Sequence, residues 1–302
     1  MFSDTHKESF SRDGFVVVEE FLTNGQVQEI RQHIQQLLDD FDPQNHPLTT
    51  FPTTTDNKLL GSQYFLDSAT RISYFLEPDS VSQAKLTVEP ARAINKIGHG
   101  LHIQDPVFKQ LTHGPDVREI ADKLGFKDPR VLQSMVICKQ PRIGGPVPMH
   151  QDSTFLFTNP PSACGFWIAL EDCLVTNGCL HVVPKSHRSH PISRRMVRCS
   201  AERQPAAEEG VDFIDIEPVF SLYPLQGEKE EQQQQQQQQE SCPVEVKAGS
   251  LVLLHGQLLH MSPPNLSDKS RWIYTFHIIE GMHTYDSLNW LQMPADFPLT
   301  KL

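Results

Sequence analysis

His150 and Asp152 stand two residues apart in Met149-His150-Gln151-Asp152-Ser153, behind a Gly144-Gly145 turn and the prolines Pro146 and Pro148. Side chains on an extended strand alternate with a period of two, so the imidazole and the carboxylate project to one side and can share a metal ion. A second histidine from far along the chain would complete a set of two imidazoles and one carboxylate, which suits non-haem Fe(II) and leaves coordination positions open. With 14 histidines and 37 acidic residues in the chain, such a triplet also arises by chance, so its meaning rests on what the remaining sequence brings to it. His255 and His260 compete for the third position. His255 closes the apolar run Leu251-Val252-Leu253-Leu254 before Gly256, whereas His260 leads through Met261-Ser262-Pro263-Pro264 toward the last long strand. On that strand, alternation places Arg271, Ile273, Thr275 and His277 on one face and Trp272, Tyr274 and Phe276 on the other. A guanidinium entering a barrel there requires an anion, because a buried unpaired charge is very costly, and a carboxylate is its natural bidentate partner.

The elements that must carry these groups follow from pattern. Asp13-Gly14 turns into the β-branched run Phe15-Val16-Val17-Val18, a short strand. Thr23 and Gln26 form a capping-box signature ahead of Val27, Ile30, Ile34, Leu37, Leu38 and Phe41 at helical spacing, with Asp42-Pro43 as the stop. Residues 45–57, rich in Thr and Pro, read as a loop, and 64–66 and 72–76 as strands. Asp105-Pro106 opens a short helix, and Pro115, Val117, Ile120, Ala121, Leu124 and Gly125 mark a further one. From residue 131 the chain becomes short β runs between Gly, Pro and Asn turns, at 131–139, 155–157, 165–170, 179–183, 244–246, 250–254 and 272–279. The fold expected is mainly β with flanking helices (α+β), a jelly-roll sandwich with the helices of the first half packed on one sheet.

Composition narrows the function classes. A chain of 302 residues can bury a sizeable core and is expected to be a single domain, 1–302. Its formal charge of −11 argues against nucleic acid as a partner. No apolar run approaches a membrane span, and the first residues carry no secretory h-region, so the expectation is a soluble, cytoplasmic protein; Thr300-Lys301-Leu302 is only a weak likeness to a peroxisomal signal. The six cysteines frame neither a C-x-x-C nor a zinc-finger spacing and read as reduced thiols. The glutamine run 232–239 cannot bury enough apolar area to offset its ordering entropy, so 226–242 is expected to be a disordered surface insertion. Arg188, Arg194, Arg195 and Arg198 form a basic cluster that either is a solvated loop or steers an anionic substrate at the site mouth.

H-x-D, a distant His, and Arg271 eleven residues after His260 together resemble the phytanoyl-CoA dioxygenase family of Fe(II)- and 2-oxoglutarate-dependent oxygenases. The likeness extends over Asp13-Gly14-Phe15-Val16-Val17-Val18, Gln140-Pro141 through Gly144-Gly145, and Asn177-Gly178-Cys179-Leu180 through Pro184-Lys185-Ser186-His187, where Lys185 replaces the usual glycine. One branch of the family also shares Asn95-Lys96-Ile97-Gly98-His99, Gln133-Ser134-Met135 and Tyr274-Thr275-Phe276-His277. The resemblance implies a double-stranded β-helix core, iron ligands His150, Asp152 and His260, Arg271 on the distal carboxylate of 2-oxoglutarate, and Lys96, Met135 and Trp167 lining the cosubstrate pocket. It further implies O2 as co-reactant, ascorbate as a supporting reductant, and hydroxylation of a small organic substrate such as a carboxylate or acyl-CoA-like molecule; the sequence does not fix the oligomeric state, and a monomer is the favoured expectation. Asp152 implies hydroxylation over halogenation, since related halogenases leave the carboxylate position small. The alternatives are a catalytically silent jelly-roll scaffold and, further off, a cupin-like isomerase or zinc hydrolase. His99, His102, His255 and His277 remain for structural or supporting roles.

Overall fold

The structure, a computed structural model, describes residues 2–50, 63–199, 210–221, 240–295 and 297–302. The glutamine run and most of the loop expected around it lie outside these residues, as does most of the segment 45–57. Ser3 and His6 cap a first helix, α1 (Asp4–Asp13), which the sequence pattern did not announce because only Phe10 of its ten residues is buried. Gly14 ends it at φ 82° and turns into β1 (Phe15–Val18). A Cβ there would collide with His187 Nδ1, so the left-handed turn and the close approach both call for glycine. The Thr23–Gln26 capping box opens α2 (Asn24–Asp39), which buries Val27, Ile30, Ile34 and Leu38.

The strands that follow are β2 (Ile72–Leu76) and β3 (Ile94–His99), then, after α3 (Pro106–Thr112) and α4 (Pro115–Leu124), β4 (Pro129–Lys139), β5 (Val147–His150), β6 (Cys164–Ala169), β7 (Leu180–Val182), β8 (Ile192–Cys199), β9 (Gly210–Val219), β10 (Cys242–Val244), β11 (Leu251–His255), β12 (His260–Ser262), β13 (Arg271–Glu280) and β14 (Thr300–Lys301). One sheet runs β1-β11-β6-β13-β4-β3-β2 with β14 added to β4, and a second runs β10-β7-β12-β5. Every registered pair in the two sheets is antiparallel. Val252, Leu254, Trp167, Ala169 and Ile273 of the large sheet meet Leu180, Val182 and Val244 of the small one, forming the inner core of a double-stranded β-helix. The outer face of the large sheet, with Val136, Phe166, Ile168, Leu253, Tyr274 and Phe276, is covered by α2 and α4. Helices on one sheet and a jelly roll behind it match the expectation.

Three local expectations need correction, and one element was unforeseen. Residues 64–66 are not a strand but part of a helical turn, Gln63–Leu66. Consecutive Phe65 and Leu66 are both buried, which an alternating strand with one wet face does not permit. Residues 155–157 form no strand, because the chain coils through a turn, α5 (Asp152–Phe155), held by Leu156 N donating to Asp152 O. The run expected at 244–246 sits earlier, as β10, with Val246 making only an isolated bridge to Cys173. The long hairpin β8–β9 was not foreseen, since its charged residues mask any apolar alternation. The C-terminal residues Thr300 and Lys301 pair with Val131 and Arg130, and Lys301 Nζ lies 3.1 Å from Asp128 Oδ1. Among the described residues no helix is long and apolar enough to cross a membrane, and all six cysteines are free.

Candidate metal centre and cosubstrate pocket

The metal triplet is assembled by one strand pair. In the β12–β5 ladder His260 lies directly opposite His150, which brings their ring centroids to 4.1 Å. The expected i, i+2 relation between His150 and Asp152 survives although the strand ends at His150. Gln151 keeps extended backbone (φ −120°, ψ 131°), so the carboxylate still faces the imidazole as α5 begins. Ser153 N donates to Gly256 O and pins that turn to the loop between β11 and β12. Asp152 Oδ1 is 3.5 Å from His150 Nε2 and 3.6 Å from His260 Nε2, and the three potential ligand atoms all lie within 4.8 Å of one another.

Both imidazoles are oriented for ligation. His150 Nδ1 lies 2.8 Å from Pro148 O and His260 Nδ1 2.9 Å from Leu258 O. A carbonyl only accepts, so each Nδ1 carries the proton and each Nε2 presents its lone pair toward Asp152. Burial, reinforced by neighbouring His150, drops the His260 pKa to about 4, which keeps the ring neutral as a ligand must be. Burial alone would raise the Asp152 carboxyl, but His277 and His260 outweigh it and hold the group well below the usual carboxylate range. His255 lies elsewhere, its ring 4.8 Å from that of His187, so the competition for the third position resolves to His260.

The remaining predicted residues share the inner face of the large sheet. Arg271 sits opposite Lys139, Ile273 opposite Ile137 and Ala169, and Thr275 opposite Met135 and Trp167, while Lys96 of β3 sits opposite Ile137. Directly opposed residues point the same way, so Lys96, Met135, Trp167 and Arg271 fall on one surface. A cavity of about 600 Å³, in the range of small-molecule sites, opens against it. Lys96, Met135, His150 and Asp152 line it, whereas Trp167, His260 and Arg271 lie just outside its wall. Arg271 is buried with its guanidinium carbon 5.5 Å from the Trp167 ring centre, and its Nε has no hydrogen-bond partner.

Lys139, which the sequence reading passed over, is a third buried basic side chain; its Nζ donates to Gly145 O and Pro263 O. Burial, then the adjacent Arg271, takes its pKa down to about 6, and burial takes Lys96 down to about 7 against the opposing pull of Glu77. A cluster of buried basic side chains with an orphaned guanidinium nitrogen fits a dicarboxylate, and two Nε2-directed imidazoles with one carboxylate fit a divalent metal of the Fe(II) kind. The basic cluster, by contrast, disperses. Arg188 donates to Ser11 O, Arg195 is buried against Asp286, and Arg198 donates to Trp290 O and Leu66 O. Arg194 alone of the four lines the cavity, stacked 4.2 Å from the Phe213 ring centre. Its position near the triplet could not be read from spacing, because among the described residues β8 belongs to neither of the two main sheets.

The family profile described as Phytanoyl-CoA dioxygenase (PhyH) matches residues 10–273. "Phytanoyl-CoA dioxygenase domain-containing protein 1" of Rattus norvegicus is 38% identical over 99% of this chain and 98% of its own length. "Phytanoyl-CoA dioxygenase" of Arabidopsis thaliana is 35% identical over 94% and 91%. Among solved structures, the "non-heme alpha ketoglutarate dependent carbocyclase SnoK from nogalamycin biosynthesis" superposes with a TM-score of 0.61 at 19% identity, covering 98% of this chain and 96% of its own. EctD of S. alaskensis "with 2-oxoglutarate and 5-hydroxyectoine" gives 0.58 at 17% identity, covering 94% and 78%. The structural likenesses establish the same fold.

Proposed function

The chain belongs to the phytanoyl-CoA dioxygenase family, and we propose that it is an Fe(II)- and 2-oxoglutarate-dependent dioxygenase that hydroxylates a small organic substrate. The observation that carries this reading is the triplet itself, with the ligand atoms of His150, Asp152 and His260 within 4.8 Å of one another and His150 and Asp152 on the wall of the cavity. These three would hold Fe(II), which when bound supplies the redox chemistry by which O2, 2-oxoglutarate and substrate R–H become succinate, CO2 and R–OH. The protein's own part is placement. Arg271 takes the distal carboxylate of 2-oxoglutarate, replacing the hydrogen bond its Nε lacks, and Lys96 adds positive charge to the wall. Met135 and Trp167 flank the carbon chain, and the apolar walls Phe155, Leu156, Met196, Phe213 and Trp290 exclude water around the substrate. Arg194 at that wall favours a substrate with an anionic group, such as a carboxylate or acyl-CoA-like molecule. We read 1–302 as one catalytic domain acting in the cytoplasm.

The test is direct. Protein purified without oxygen and then given Fe(II), ascorbate, O2 and 2-oxoglutarate labelled at the carboxyl carbon next to the keto group releases labelled CO2, and Asp152→Ala abolishes the release. Release that persists in Asp152→Ala, or none in the unaltered protein, overturns the enzyme reading in favour of a binding role for the barrel.

A further inference from the structure

His277 is on the inner face of β13, six residues beyond Arg271, and is buried. Its Nε2 is 3.2 Å from Asp152 Oδ2, whereas Oδ1 is the oxygen nearest His150 and His260, and that buried Oδ2 makes no hydrogen bond in the structure. Gln133 Nε2 lies 3.4 Å from His277 Nδ1 and, as an amide nitrogen, can only donate. Nδ1 is therefore the acceptor and the ring proton sits on Nε2, the nitrogen within 3.2 Å of the carboxylate. Gln133 and His277 face each other where the β13–β4 ladder slips between His277 and Ile278, a bulge that re-aims a side chain. On the opposite neighbour, β6, the residue facing His277 is Gly165. A Cβ there would lie 3.3 Å from Asp152 Oδ2 and 3.4 Å from His277 Nε2, so the missing side chain makes the space in which the two meet.

We infer that His277, locked in one tautomer by Gln133 and given room by Gly165, is a positioning residue that holds Asp152 Oδ2 so that the carboxylate offers the metal only Oδ1. A carboxylate free to rotate could offer both oxygens and take up a coordination position that cosubstrate or O2 requires. The inference rests on the metal-site reading above and adds to it a supporting pair and a denticity.

The test reads metal binding, not turnover. Mn(II) is titrated into the anaerobic apoprotein by calorimetry, and the visible spectrum of the Co(II)-loaded protein is recorded. His277→Phe should weaken Mn(II) binding by about 10–100-fold, the usual effect of losing a partner that orients a ligand. It should also shift the Co(II) bands, while His277→Gln, which keeps an N–H donor, restores most of both. Gly165→Ala should reproduce the loss with the imidazole intact. Because His277→Phe fills a buried position and can fail to fold, Gln133→Met, which releases the tautomer without touching the carboxylate, supplies the same readout at smaller amplitude. Folded His277→Phe with unaltered Mn(II) affinity and Co(II) spectrum overturns the inference, as does Gln133→Met alone if His277→Phe does not fold. Asp152→Ala is the control. If it too binds Mn(II) normally, the metal site itself is wrong; if it alone loses binding, only the role of His277 falls.

Discussion

Two regions of the barrel interior treat their polar groups in opposite ways. At the candidate metal triplet each imidazole is satisfied by a carbonyl two residues earlier in the chain, Pro148 O for His150 and Leu258 O for His260, so orientation is settled locally before any ligand arrives. At the basic region, Arg271, Lys139 and Lys96 converge from three strands, burial lowers the pKa of each, and Arg271 Nε is left without a partner. One region is preorganised, and the other is held under electrostatic stress that an anion relieves. On the function proposed above, the contrast is that of a site whose ligand would stay in place with a site whose ligand would come and go at every turnover.

Removing the charge should separate the two regions most sharply. Arg271→Leu takes away a buried unpaired cation, so thermal stability of the apoprotein should hold or rise, while affinity for 2-oxoglutarate should fall by at least about 30-fold, the lower end of what truncating one partner of a buried charge pair costs. Mn(II) affinity should stay near that of the unaltered protein. Calorimetric titrations of both ligands, with a melting curve, decide it; a fall in stability together with an unchanged 2-oxoglutarate affinity would make Arg271 a structural ion and dissolve the contrast.

Acidity sharpens it next. Lys96 has a folded pKa of about 7 against an ordinary value of 10.5, so between those pH values the unfolded chain binds the proton and the folded one does not. Stability of the apoprotein therefore rises with pH across that window, and Lys139, depressed to about 6, adds in the same direction. Binding of 2-oxoglutarate has the opposite sign: affinity weakens as pH rises through about 7 and the ammonium is lost. Urea midpoints at two pH values, in the unaltered protein and in Lys96→Met, test the first statement, and an identical pH slope in both would refute it. The second is tested by proton uptake on 2-oxoglutarate binding, measured in buffers of different ionisation enthalpy.

The smallest effect belongs to the scaffold that both regions share. Lys185 occupies the left-handed region at φ 65°, where the family pattern has glycine, and its backbone N donates to Asp13 O. Lys185→Gly should stabilise the protein by about 1 kcal/mol by relieving the steric cost of that conformation, without altering CO2 release. A lower denaturation midpoint would show that the lysine makes contacts worth more than the strain.

Much of this was legible in the residues. The Thr23–Gln26 box, the apolar spacing of α2 and α4 and the alternation of β13 are local patterns, and the structure reproduces them because each element buries the face its own sequence marks. The likeness of H-x-D and Arg271 to one family led to the triplet that the β12–β5 ladder now brings together. Where both faces of a segment are buried, or both carry charge, the pattern carries no direction. Phe65-Leu66 coiled where a strand was expected, and β8–β9 escaped notice. Lys139, Gly165 and the dispersal of the four arginines were illegible for a different reason: their meaning lies in cross-strand register, a relation between residues scores of positions apart.

The sequence by itself determined the inventory: which strands alternate, which residues can ligate a metal, and that a guanidinium on a strand of the barrel must meet an anion. Those follow from side-chain chemistry and from the periods of helix and strand, which need no partner to be defined. Only the tertiary structure decided that Lys139 lies beside Arg271, and that a glycine on one strand leaves room for a histidine on the next to approach the aspartate. The physical reason is that side chains opposed across antiparallel strands are set by register, and register is an outcome of packing the whole sheet against its core.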